Sequence, residues 1–259
     1  MKKSGIFTIV LIVVAFIVSE LVFAFVFGNP ANFKNPETKT TPQNLLGAIY
    51  LGGMIVPILM TLSIMVVTYT IERALSLSKA KGKGPIEPFL KNIQVALRDG
   101  DIQGTIDLCN KQRGSIANIL KQGLERYQSI VADKSVDSEK KLEEVKNAIE
   151  EAMGLELPLL NTNLPALATI ASVSVLIGLF GTVVGMIRAF QALATAGTPN
   201  AAELAAGISE ALVNTAGGLF AAIVGTVAYN FFLTKVGSIT YMIDEATYNL
   251  LAIIAIKSK

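Results

Sequence analysis

Two threonines, Thr182 and Thr215, and one carboxylate, Glu210, stand inside long stretches built mostly of Gly, Ala, Val, Leu, Ile and Phe. A hydroxyl both donates and accepts, so two at one depth can hold water or relay a proton. A carboxylate inside a bilayer is costly and is by default a functional group. Each also has a plainer reading. A threonine in a span often returns its hydroxyl to the carbonyl one turn back. Glu210 can reach headgroup water, or pair with Arg188 at a similar depth, while Arg188 itself can extend outward to the interface. Gly178, Gly185, Thr226, Tyr229 and Asn230 are weaker candidates for pore lining or packing. Other chemistry has little to stand on. Histidine is absent and Cys109 is the one cysteine, which removes the commonest general base and metal ligand and any thiolate cluster. The chain reads as a non-enzyme with no cofactor and no metal.

The elements that hold these residues are membrane spans. The sequence is 52% hydrophobic and 16% charged, against about 25% charged in soluble domains. A net charge of +2 gives no electrostatic case for nucleic acid. Four stretches are long enough for a bilayer, which takes roughly 20 apolar residues: 1–27, 45–71, 161–191 and 207–234. The first is either an uncleaved helix, the favoured reading because apolar residues continue through Phe27, or a signal peptide cut near Ala24. Lys and Arg cluster before the first stretch and after the second and fourth, whereas the connection 192–206 has neither. The positive-inside rule then places 28–44 and 192–206 outside, and both termini, 72–160 and 235–259 in the cytoplasm.

The cytoplasmic region is helical in pattern. From Glu72 to Glu156 it carries 14 Lys and Arg against 14 Asp and Glu, a solvated surface with no one-sign patch. KGKGP at 81–85 breaks the chain before a helix at Ile86 to Arg98, and Asp99-Gly100 makes a turn. Ile102, Ile106 and Cys109, then Ile116, Ile119, Leu120 and Leu124, follow at helical spacing. From Asp137 a long amphipathic helix with Leu142, Val145, Ile149, Met153 and Leu157 on one side is expected to run on into the third span, kinked by Pro158 and Pro165. Val236, Ile239, Ile243, Thr247, Leu250 and Ile254 extend the fourth span the same way. The fold class is an all-α integral membrane protein: three core transmembrane helices, a further N-terminal one, and a cytoplasmic helical region.

The third and fourth spans carry small residues on one face each. Ala171, Val175, Gly178, Thr182, Gly185 and Ala189 form the first face, and Ala211, Thr215, Gly218, Ala222 and Gly225 the second. Small residues let helix backbones approach closely in a membrane. Counted from Phe190 and from Gly207, Thr182 and Thr215 each lie roughly 12 Å below the outer end, so they can share a level. Glu210 is the only acid in these two spans and is too shallow to carry a proton across alone.

At these residues the sequence resembles the MotA/TolQ/ExbB proton-channel family, its ExbB/TolQ branch in particular. GLFGTVVGMIRAF in the third span is similar to that family's GLLGTVxGMIxAF. GISEALVNTAGGLFAAIVGTVAYNFF in the fourth is similar to GIxEALxxTAxGLxxAIPAxxxYNxF. IERALSL after the second span and DGDIQGTIDLCNKQRGSIANILKQGLERY resemble its inner exit and cytoplasmic helices, so the likeness covers roughly 45–250. The resemblance implies a homo-oligomer, a pentamer in the bacterial inner membrane, with the outer segments periplasmic. It also implies a single-span partner of the ExbD/TolR type whose intramembrane Asp supplies the missing deep acid, and a TonB/TolA-type protein that spans the envelope. By the same resemblance Thr182 and Thr215 match threonines lining the proton route, Glu210 the family's intramembrane glutamate, and Tyr229 and Asn230 its YN pair. The family's prolines are absent at Val175 and Val224, and Thr226 is an added hydroxyl. The implied function is a proton-driven stator that energises outer-membrane transport. TolQ-like envelope maintenance, a gliding-type motility motor and a non-conducting scaffold are the alternatives. A secondary transporter would need an inverted repeat or broken spans in matching positions, and the sequence shows neither.

Overall fold

A computed structural model describes residues 2–132, 137–195 and 201–257. The chain is all-α: α1 Lys2–Leu21, α2 Leu45–Tyr50, α3 Ile55–Lys81, α4 Ile86–Asp99, α5 Ile102–Gln112, α6 Ser115–Val131, α7 Ser138–Asn161, α8 Leu164–Thr195 and α9 Ala201–Lys257. A π-helical turn, Val22–Phe27, continues α1. Among the described residues the only strand-like pairing is one bridge, Phe33 to Pro42. Among the described residues four helices are long and apolar enough to cross a membrane. The residues fall into two compact units, Met1–Ile71 with Pro165–Tyr229, and Glu72–Leu164 with Asn230–Lys259.

In the first unit, α1 turns most of its large side chains outward, Ile9, Val13, Phe16 and Ile17 among them, and buries Ala15 and Ser19 one turn apart. Ser19 Oγ donates to the Ala15 carbonyl at 2.8 Å and lies 3.2 Å from Thr61 Oγ1 of α3. Thr8 Oγ1 and Tyr69 Oη meet at 3.0 Å. A helix in lipid gains little from apolar contact alone, so such hydroxyl pairs give it an address.

The segment between α1 and α2 folds around Asn32, which donates to the carbonyls of Val26 and Phe27 at 2.7 and 3.0 Å. Asn44 in turn donates to Asn32 Oδ1 at 2.9 Å and caps α2 by accepting from Gly47 N.

The second span is interrupted where the sequence reading expected one helix. Its two pieces, α2 and α3, are separated by a turn through Gly53, whose φ of +72° is a region glycine enters freely. The expected continuity of α7 and α8 also fails. Asn163 sits at φ +63° between them, Pro158 lies inside α7, and Pro165 occupies the first turn of α8, where its missing N–H costs nothing.

The second unit packs its helices around a buried apolar core. Phe89, Ile93 and Leu97 of α4 are buried with Ile106, Ile119, Leu120, Leu124, Val145, Ile149, Ile243, Leu250 and Ile254, so most of the apolar stripes become core. Met153 and Leu157 are only half-buried, and the α7 stripe passes through Ala152 instead. Gly123 is where α6, α7 and α9 close up, since a Cβ there would lie 2.6 Å from Ile149 Cγ1 and 3.5 Å from Leu250 Cδ2.

Arg73 is nearly fully buried. It grips Glu72 with two hydrogen bonds of 2.6 and 2.7 Å and donates to the Leu160 carbonyl at 3.4 Å, while Asn163 donates to Glu72 at 3.0 Å. A buried guanidinium must be paired in this way, and the pairing ties the C-terminal half of α3 to the α7–α8 break.

Cys109 is buried in the same core, and burial pushes its thiol up to about 12. The thiolate is the reactive form. Alkylation by iodoacetamide at pH 8 should therefore run on the order of 100-fold slower in the folded protein than after denaturation. Equal rates would place the thiol at the surface.

Candidate functional site

The site is built on the seam between α8 and α9. Gly178, Gly185, Gly207 and Gly218 let the two backbones touch. A Cβ on Gly185 would lie 2.8 Å from Ala211 N and from the Gly207 carbonyl, and one on Gly218 would lie 2.5 Å from the Ser174 carbonyl. Gly207 lies against Ala189 and Gly225 against Ala171. That fixes an antiparallel register in which position 182 is level with position 214. Thr182 and Thr215 thus differ in depth by one residue, about 1.5 Å.

They also share a side. α9 turns Val213 and Gly217 toward Gly52 and Leu59 of the second span, and Gly207, Ala211 and Gly218 toward α8. Thr215 follows on from the second set, on the flank away from α3. On α8, Arg188 marks the side of the second span and Gly178 and Gly185 the side of α9, which leaves Thr182 on that same flank. Both threonines are half-buried. Thr182 Oγ1 donates to the Leu179 carbonyl at 2.5 Å and Thr215 Oγ1 to the Ala211 carbonyl at 3.2 Å. Each hydroxyl keeps acceptor capacity for an outside donor. Leu179, Met186, Ile208 and Leu219 around them are exposed. Thr182 opens on a shallow groove of about 590 Å³ with Val183, Met186, Ile187 and Phe190. Thr226 is exposed on α9, three turns further in on the same flank; Tyr229 is half-buried and Asn230 exposed.

Glu210 is elsewhere. It is buried on the α3-facing flank, where its Oε1 accepts from Arg188 Nη1 at 2.6 Å and lies beside Gly53. The structure therefore brings Thr182 and Thr215 together and sets Glu210 apart from them. Asn214 is a residue the sequence reading passed over. It is fully buried, its Nδ2 donates to the Gly52 carbonyl at 2.9 Å, and its Oδ1 accepts from none of the described residues. An amide on a face of Ala, Thr and Gly was the available signal. Among the described residues no group of His, Cys, Asp and Glu could hold a metal.

Residues 111–245, just over half of the chain, match the MotA/TolQ/ExbB proton channel family. The chain belongs to this family. The seam of this MotA/TolQ/ExbB member lies within the matched residues. One stretch of 120 residues is 40% identical to the Tol-Pal system protein TolQ of Pseudomonas aeruginosa, covering 46% of this chain and 52% of the relative. Another of 104 residues is 47% identical to TolQ of Haemophilus influenzae, covering 39% and 46%. A third, of 72 residues, is 50% identical to the biopolymer transport protein ExbB of Salmonella typhimurium, covering 28% and 30%. The matched stretches thus span about half the length of these relatives or less. Both Val175 and Val224, where the branch motif has proline, lie within unbroken helix. The protein is a multi-pass membrane protein of a proton-channel family.

Proposed function

We propose that the chain is the channel subunit of a proton-driven stator in the bacterial inner membrane, and that Thr182 and Thr215 line its proton route. The observation that carries this is the pair of hydroxyls at one level on one apolar, uncovered flank, with no acid of α8 or α9 at that depth. A relay of this kind needs a titratable group opposite the hydroxyls. A single-span partner of the ExbD/TolR type with an intramembrane Asp would supply it, inside a ring of copies of this chain, a pentamer by family likeness. On this reading the chain crosses the membrane at 1–27, 45–71, 161–191 and 207–234, with 28–44 and 192–206 periplasmic and both termini cytoplasmic. The work goes to the envelope through a TonB/TolA-type protein, with outer-membrane transport as the leading cargo. TolQ-like envelope maintenance is the second reading, because the TolQ matches are longer than the ExbB match.

The test is to purify the chain from its own membranes in mild detergent and take its native mass. A ring carrying a small single-span protein with an intramembrane Asp is the expected result. A ring with no such companion after crosslinking in the membrane would leave the flank without a proton carrier and move a non-conducting scaffold ahead.

A further inference from the structure

We propose that Arg188, Glu210 and Asn214 form a polar lock on the break in the second span, and that Glu210 positions the channel helices instead of carrying protons. The inference rests on the proton-channel reading and deepens it. Three side chains converge on two consecutive peptide units. Glu210 Oε1 lies 2.9 Å from where a Cβ on Gly53 would stand, and φ of +72° at Gly53 already asks for glycine. Arg188 reaches the same oxygen from α8 at 2.6 Å. One turn further along α9, Asn214 donates to the carbonyl of Gly52 at 2.9 Å, in the turn that interrupts the helix. A carbonyl in that position needs a donor from elsewhere in the membrane. Asn214 is placed by α8 as well, because a Cβ on Gly181 would lie 3.0 Å from its Nδ2. The lock thus joins the second span, α8 and α9.

The direction of Glu210 argues against a relay. Five residues of helix separate it from Thr215, which puts the two side chains roughly 140° apart around α9. Glu210 faces α3, is 7% exposed, and is held in a charge-assisted bond. Arg188 keeps its side chain 54% exposed and lines, with Leu51, Glu203, Ala206 and Glu210, a cavity of about 340 Å³. The guanidinium can stay hydrated while it fixes the buried carboxylate. Thr215 follows Asn214 directly in sequence, so a shift of the lock moves the hydroxyl. Glu210 then matters for conduction through position.

The two roles separate in a double-variant cycle. Proton flux is measured in vesicles from the native membrane, carrying wild type, Glu210→Gln, Arg188→Gln or both changes. In parallel, Leu51→Cys and Ala206→Cys, two positions on the 340 Å³ cavity, are joined by a bifunctional maleimide to report the geometry. Removing either partner leaves a charge without its counterpart, the buried Glu210 carboxylate above all, whereas replacing both can be nearly neutral. Each single variant should lose about tenfold or more in flux and lose crosslinking, and the double should recover both to within about threefold of wild type. A double variant that crosslinks normally but conducts no better than Glu210→Gln overturns the proposal and makes Glu210 a proton carrier. Single variants that leave crosslinking and flux intact overturn it as well. If wild type itself conducts no protons, the channel reading falls, and the crosslinking pattern still decides the lock.

Discussion

Thr215→Val should abolish proton-dependent work and leave the proposed ring of copies intact. Valine keeps the branched shape and volume and removes only the hydroxyl. In the folded chain that hydroxyl makes a bond of 3.2 Å to the Ala211 carbonyl, and its loss should cost about 1 kcal/mol or less of stability. A positioned donor and acceptor in a proton transfer is worth far more, roughly 100-fold in rate. The measurement is partner-dependent proton flux beside native mass. Normal flux in the variant would reduce Thr215 to packing. The complementary change at Thr182 tests the same level from the other helix.

Gly218→Val should separate α8 from α9 and dissolve the proposed ring. A Cβ at Gly218 would stand 2.5 Å from the Ser174 carbonyl oxygen and 2.8 Å from Gly178 Cα. Both obstacles are backbone, so no rotamer change relieves them. Overpacking of this kind costs about 1–3 kcal/mol for side-chain neighbours, and backbone neighbours place it at the upper end. Gly154 and Gly237 supply the control. A Cβ at either meets nothing within 4 Å, and Gly→Ala there should be neutral or stabilising by up to about 1 kcal/mol through helix propensity. Melting in detergent followed by size-exclusion chromatography reads both. A Gly218→Val protein that elutes and melts like the parent would refute the close seam.

Much of this was legible in the sequence because it depends on near neighbours. Residue counts along two antiparallel spans were enough to put Thr182 and Thr215 at one depth, and the run of Gly and Ala marked the faces that meet. The Ile119, Leu120 and Leu124 cluster announced a helical core through its spacing. The break at Gly52-Gly53 was hidden because both sides of it are apolar, and hydropathy does not register the loss of a helical turn. Asn214 was passed over because its partner lies 162 residues away. Which way Glu210 faces depends on where the second span packs, and no local pattern encodes that. The burial of Arg73 depends on the Leu160 carbonyl and on Glu72 with its own Asn163 partner, and the IERALSL stretch that holds it encodes only its charge.

The seam between α8 and α9 carries a thermodynamic consequence. Glycine and alanine have no side-chain torsions to freeze, and fixing a long side chain costs up to about 2 kcal/mol. Closing this contact therefore sacrifices almost no rotamer entropy. A seam of leucines would be opposed by a term that grows with temperature, whereas this one holds Thr182 level with Thr215 with little such dependence.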